Sequence, residues 1–164
     1  MRSIVLLPVL FAISAACSRN GSTAIARTTR PSAINKNLLL QLVNEARSKG
    51  CNCGDTWYGP APALTWNEKL EAASVEHSND MFQNKYFGHV APDGSNAGER
   101  IERAGYHWKT YGENIAQGYR NEQEVVNGWL HSPGHCKNIM GKEYREMGVG
   151  RAGNLWTQEF ATKF

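Results

Sequence analysis

Two imidazoles and a carboxylate, His89, His135 and Glu113, sit on glycine-bearing stretches far apart in the chain: Phe87-Gly-His89, Tyr111-Gly-Glu-Asn-Ile-Ala116 and Gly128-Trp-Leu-His-Ser-Pro-Gly-His-Cys-Lys-Asn-Ile-Met140. Only tertiary folding can gather side chains so distributed, and clefts are commonly built that way. The chain is long enough to do it. Its 164 residues, 41% of them apolar, suit one domain with a real hydrophobic core.

Caps and periodicity predict four helices. Ser32 can cap a first helix whose Leu38, Leu39, Leu42, Val43 and Ala46 follow the 3.6-residue repeat until Gly50 stops it. Thr65-Trp-Asn-Glu68 has the capping-box pattern and opens a second helix toward Asn84. Asn96 with Glu99 and Asn121 with Glu124 repeat that logic, for a short third helix ending at Gly105 and a fourth reaching about Leu130. Pro133 and Gly134 break the pattern there. Strands are expected over 111–119, 147–152 and 155–162, the last two joined by a Gly153-Asn154 turn as an antiparallel hairpin. The fold class is α+β.

Residues 1–16 read as an export signal, with Arg2 as its basic end, an apolar run over 4–13 and the small residues Ser14-Ala15-Ala16 at the cleavage site. Such a run falls short of the roughly 20 apolar residues a spanning helix needs. Cys17 would then lead the mature chain, and Ile13-Ser-Ala-Ala-Cys17 resembles a bacterial lipoprotein box, with Ser14 where Leu is usual. The expectation is an exported protein: secreted, periplasmic, or anchored at the outer membrane by lipid on Cys17. Residues 17–31 form a polar linker and 32–164 the folded domain. A formal charge of +3, with no long basic run, gives nucleic-acid binding no support and leaves a lipid anchor as the expected membrane contact.

Beyond Cys17 the cysteines are Cys51, Cys53 and Cys136. Export permits disulfides, but three is an odd number. Cys51-Asn-Cys53 is not a CxxC motif, and cysteines separated by a single residue rarely bridge each other, so one of the two is expected to meet Cys136. On the chain-entropy model so long a loop contributes on the order of 4–5 kcal/mol.

The order FGH, YGENIA, GWLHSPGH, Met147-Gly-Val-Gly150 and Trp156-Thr-Gln-Glu-Phe160, running from about Asn37 to Phe160, resembles the CAP superfamily in its bacterial SCP-like extracellular branch. That superfamily comprises cysteine-rich secretory, antigen 5 and pathogenesis-related 1 proteins. The resemblance implies a three-layer α-β-α sandwich, a small antiparallel sheet flanked by about four helices. It implies a Cys53–Cys136 disulfide, because related bacterial sequences keep a cysteine before glycine as in Cys53-Gly54, and it leaves Cys51 as the free thiol. It also implies that His89 and His135 line a central cavity, with Glu113 placed to orient an imidazole and raise its basicity. One departure stands out. Many eukaryotic members carry a second cavity acid three residues after the tryptophan of the fourth helix, and here that position is Ser132.

Taken alone, His89 reads equally well as a surface imidazole and Glu113 as an exposed edge charge. His131 and His135 have the i,i+4 spacing of a zinc pair, but Pro133-Gly134 between them argues against the helix that would align them, so His131 is expected to be exposed. His77 shares a helix face with Leu70, Ala73 and Met81, which makes it a core histidine bonded to backbone. Trp66, Trp108, Trp129 and Trp156 read as core or cleft wall.

Three functions compete. In the favoured one, His89, Glu113, His135 and Ser132 line the cavity of a non-enzymatic binding module for a small lipid, a peptide or a cell-wall-derived ligand, with a divalent metal such as zinc at His89 and His135. The alternative is a metal-assisted, peptidase-like hydrolase in which those histidines hold the ion and Glu113 acts as orienter or base. Serine hydrolysis by Ser132 with His135 as base has the poorest support, because Ser132 lacks a strained elbow. Cys136 as nucleophile is poorer still, since it is expected to bridge.

Overall fold

Asparagine side chains set where the helices begin. The computed structural model describes residues 34–164, so the export signal, Cys17, the polar linker and Ser32 lie outside the described residues. Helix α1 (Lys36–Lys49) is capped by Asn35, whose side chain accepts from the Leu38 backbone N–H at 3.1 Å. Helix α2 (Glu68–Asn84) is capped by Asn67 rather than Thr65. Thr65 is committed elsewhere: Thr65–Trp66 is a short strand, β3, and the Thr65 N–H donates to Arg145 O. Asn96 and Glu99 form the full expected capping box on α3 (Ala97–Arg103), and Asn121 caps α4 (Glu122–His131).

A fifth helix, α5 (Pro133–Ile139), was not expected. Pro133 does end α4, since it cannot donate into the helix before it. Its missing N–H and fixed φ equally suit the first position of the next helix, where that donor would be unpaired anyway. His135 therefore projects from a helix and not from a turn.

Strands β1 (Cys51–Cys53) and β2 (Thr56–Tyr58) make a small separate hairpin. The main sheet has the order β3-β5-β6-β4, with β4 (Trp108–Gln117), β5 (Glu146–Ala152) and β6 (Leu155–Lys163). The β5–β6 hairpin turns at Gly153-Asn154 as expected, and β4–β6 is antiparallel too. The sheet is nonetheless mixed, because β3 runs parallel to β5.

Two helical layers enclose this sheet. On one face Leu39 and Val43 of α1, Val126 and Trp129 of α4 and Ile139 of α5 pack on Val149, Trp156 and Phe160. On the other, Leu70 and Ala73 of α2 and Ile101 of α3 pack around Tyr106 and Ala161. Among the described residues no helix is long and apolar enough to cross a membrane.

The Met147-Gly-Val-Gly150 motif explains how close α2 lies. With period-2 alternation, Met147 and Val149 face α1 and α4 while Gly148 and Gly150 face α2. A Cβ on Gly148 would fall 2.1 Å from Glu71 N, and one on Gly150 2.2 Å from Val75 N. Both obstacles are helix backbone, which cannot swing aside. The two glycines thus let α2 rest directly on the sheet.

Opposite, Arg47 is fully buried without a carboxylate partner among the described residues. It donates to Pro62 O, Ile139 O and Gly141 O at 2.7, 2.6 and 2.9 Å, which closes the C-terminal end of α5. Burial lowers its pKa to about 10, still far above neutrality. The Cys53–Cys136 disulfide, the pairing implied by the resemblance, ties β1 to the same helix.

Gly150→Ala is expected to lower unfolding free energy by about 3 kcal/mol, the upper end of ordinary overpacking, because the clash is with backbone. Urea denaturation checks this. A loss below about 0.5 kcal/mol, typical of surface sites, would contradict the close approach of α2.

Candidate functional site

Glu113 lies on β4 directly opposite Glu159 of β6, which in turn lies opposite Gly148 of β5. These three residues form one row across the sheet, on the face that α2 covers. Glu113 is therefore no exposed edge charge: its side chain is 3% exposed. Arg100, which the capping box places one residue after Glu99 in α3, is 2% exposed and donates from Nη2 to Glu113 Oε2 at 2.6 Å. The same guanidinium donates to His89 O and Ser95 O, both at 3.0 Å, and so fixes the loop that carries His89.

His89 Nδ1 lies 2.7 Å from Glu113 Oε1. An ionised carboxylate only accepts, so Nδ1 carries the proton and the other ring nitrogen, Nε2, is left free on a side chain that is 55% exposed. His77 is fully buried, as expected, and its Nε2 donates to Gly88 O at 2.9 Å. Its ring also lies 3.8 Å from Glu113 Oε2, a proximity that helical periodicity did not reveal.

The neighbouring residue Asn114 points to the opposite face of the sheet. There its Nδ2 donates to His135 O at 3.2 Å, and Asn138 Nδ2 donates to Glu113 O at 3.0 Å. Strand β4 is the sheet's edge, so α5 reaches it from one face while the His89 loop reaches it from the other. Burial, and after it the charge of His89, lower the His135 pKa. At this edge His89 is bonded to the Glu113 carboxylate, while His135 lies on α5, which is tied to the same strand through the His135 backbone carbonyl.

Ser132 caps α5 through its backbone, its carbonyl accepting from Cys136 N–H, and its hydroxyl makes no capping bond. Among the described residues it has no hydrogen bond to His135. His131 is exposed and bonds back to Asn127 O of its own helix. Trp129 and Trp156 are buried in the core, while Trp66 and Trp108 are half-buried. Behind Arg100 and His77 opens a polar cavity of about 290 Å³, at the lower limit of ligand pockets. Ser95 and Arg100 line it, and among the described residues Ser95 Oγ and Arg100 Nε are buried without a hydrogen-bond partner.

Charge in this layer is tightly set. Burial alone would raise the Glu113 pKa, but the hydrogen bonds with His89 and Glu159 and the Arg100 charge outweigh it and hold Glu113 below the ordinary carboxylate value. Glu159 is fully buried, and burial first, then the charge of Glu113 and a hydrogen bond to it, push it well above that value. The same causes favour the protonated form of Glu159 over its carboxylate. The hydrogen bond to Glu113 raises His89, whereas burial lowers His77 and His135.

Arg100 and Glu159 escaped sequence analysis for a physical reason. Nothing in a strand such as Trp156-Thr-Gln-Glu-Phe160 tells which strand pairs with it, and without that register the two glutamates cannot be seen to meet.

Two outcomes follow from this charge arrangement. In an NMR titration His89 should have a midpoint above the ordinary histidine value and His77 and His135 midpoints below it. The stability His89 gains from Glu113 is complete below the ordinary histidine value and is lost as pH rises through its own raised one. Glu113→Ala should cost about 3–5 kcal/mol in urea unfolding, because it strands Arg100, whereas Glu159→Gln, which removes no charge, should cost under about 1 kcal/mol. The reverse order of costs would show that Glu159 is the ionised partner.

Residues 40–160 match the model of the CAP family, described as the cysteine-rich secretory protein family. YkwD of Bacillus subtilis, an uncharacterized protein, is 34% identical over 140 residues, which cover 83% of this chain and 51% of that one. YlbC of the same organism, an uncharacterized membrane protein, is 34% identical over 101 residues, covering 62% of this chain and 29% of its own. The chain thus spans about half the length, or less, of these curated relatives. Among solved structures, an extracellular protein containing an SCP domain from Bacillus anthracis superposes with a TM-score of 0.69 at 31% identity, over 77% of this chain and 40% of that one. An outer surface protein from Borrelia burgdorferi superposes with a TM-score of 0.65 at 21% identity, over 78% of this chain and 92% of that one, a likeness of fold.

Proposed function

The chain belongs to the CAP family, and from that premise we propose that it is an extracytoplasmic, non-enzymatic binding module that holds a labile divalent metal ion between His89 and His135. The observation that carries this is the His89–Glu113 contact of 2.7 Å. A carboxylate on one ring nitrogen fixes the tautomer, aims the other nitrogen outward and raises its basicity, as the outer partner of a metal-bound histidine does.

The donor set limits what such a site can be. Glu113 is engaged at both oxygens, by His89 and by Arg100, so it serves as the orienting partner and leaves two imidazoles as ligands. Among the described residues, the one group of three histidine, cysteine or acidic side chains with ligand atoms within 4.8 Å of one another is Cys51, Cys53 and Cys136, of which two are joined as a disulfide. Two histidines suit an ion completed by water or by a ligand's own oxygens, and not a closed structural zinc. Such an ion would supply Lewis acidity and a docking point for a peptide, lipid headgroup or wall-derived ligand. The engaged Glu113 and the lack of a Ser132–His135 hydrogen bond among the described residues favour binding over hydrolysis. Export, with lipid on Cys17, rests on the N-terminal sequence and accords with a disulfide in the fold.

Protons compete for the same nitrogens. Because His89 titrates above the ordinary value, affinity should weaken as pH falls through that raised midpoint. In calorimetric titration with zinc at neutral pH, wild type should bind and the His89→Ala, His135→Ala double variant should not. Glu113→Gln, which leaves both ligands in place, should bind about 10- to 100-fold more weakly. Identical heats from wild type and the double variant would refute the proposal.

A further inference from the structure

Three sulfurs meet where β1 packs on α5. Cys51 and Cys53 are two residues apart on β1, so their side chains leave the same face of the strand. Cys53 Sγ is bonded to Cys136 Sγ. Cys51 is a free thiol, and its Sγ lies only 3.4 Å from the same Cys136 sulfur. It is half-buried, while Cys53 and Cys136 are 2% and 0% exposed, so water and base reach the cluster through Cys51.

We propose that these residues form a thiol–disulfide exchange site in which Cys136 is the shared electrophilic sulfur and Cys51 and Cys53 alternate as its partner. Cys51 yields its proton to solvent, and the thiolate attacks Cys136 Sγ. The Cys51–Cys136 bond forms as the Cys53–Cys136 bond breaks, and Cys53 departs with the electron pair as a thiolate that takes up a proton. One disulfide and one thiol stand on each side of the step, so it needs no oxidant or reductant. Attack on Cys53 instead would link residues two apart on one strand, an arrangement that disulfide geometry disfavours.

Chain entropy favours neither partner. The two bonds close loops with sequence separations of 83 and 85, and loop entropy depends only on the logarithm of length. Local fit alone decides the balance. Burial raises the Cys51 thiol pKa and slows the step by thinning the thiolate population. Confinement within one fold works the other way, through a high effective concentration of nucleophile. At this contact distance an in-line approach would place the outer sulfurs about 5.4 Å apart for an ordinary disulfide bond length. They lie within 4.8 Å, so a rotation of the Cys51 side chain precedes attack. Exchange slides the tether of α5 by two residues along β1 without releasing the helix that carries His135.

The test uses the full chain, held without reductant at mildly alkaline pH for hours. Samples are quenched in acid, denatured, labelled unreduced with N-ethylmaleimide and digested, and tandem mass spectrometry assigns the label to individual residues, so Cys17 does not interfere. The expected result is label on both Cys51 and Cys53, in a ratio that local fit sets, since loop length favours neither. Label on Cys51 alone would overturn the proposal. A second variant, Cys53→Ser, should form the Cys51–Cys136 disulfide, and recovery of both sulfurs as labelled thiols would overturn it equally.

Discussion

Two carboxyl groups, Glu113 and Glu159, share one buried guanidinium, that of Arg100, in the narrow layer between the sheet and α2. A second uncompensated carboxylate there would be far more costly than a retained proton, so one acid ionises and its neighbour stays neutral. Glu113 is the one that ionises, because it alone is bonded to Arg100 and His89. Its depressed pKa contributes stability above the ordinary carboxylate range, lost as pH falls through its folded value. Glu159 has the opposite sign: it favours the fold while protonated, and that contribution is lost as pH rises through its raised value.

The rest of the molecule holds this layer closed. Gly148 and Gly150 bring the α2 backbone onto β5, and Glu159, opposite Gly148, is fully buried beneath it. Arg100 then works in two directions at once, holding Glu113 ionised and pinning the His89 backbone. On the other face, Arg47 and the Cys53–Cys136 disulfide fix α5, while Asn114 and Asn138 join that helix to β4. The His89 side chain is exposed beside an edge strand, and both faces of that edge are anchored.

Much of this was legible in the chain itself. Asn96 with Glu99 announced a capping box, Gly153-Asn154 a hairpin, and the periodicity of Leu70, Ala73, His77 and Met81 a buried histidine. The motif resemblance supplied the layer order, the choice of Cys53 over Cys51 and the candidate trio. Other features depend on distances that one-dimensional patterns do not carry. Asn67 displaced Thr65 as a cap because Thr65 was needed for pairing with β5. Helix α5 hid behind a proline that ends one helix and begins another. Arg47, Arg100 and Glu159 look like surface charges in sequence and are buried because specific carbonyls, or a partner charge, lie within reach.

The proton on Glu159 is the claim from which the ionised Glu113, the basic His89 and the outward-facing imidazole nitrogen all follow. Infrared spectroscopy of the carboxyl region at neutral pH addresses it directly, since ordinary aspartates and glutamates are ionised there. A protonated carboxylic-acid C=O band, present in wild type and abolished by Glu159→Gln, is the result expected. A wild-type spectrum with no such band at neutral pH would mean that both glutamates are ionised beside Arg100, and the charge arrangement described for this site would be wrong.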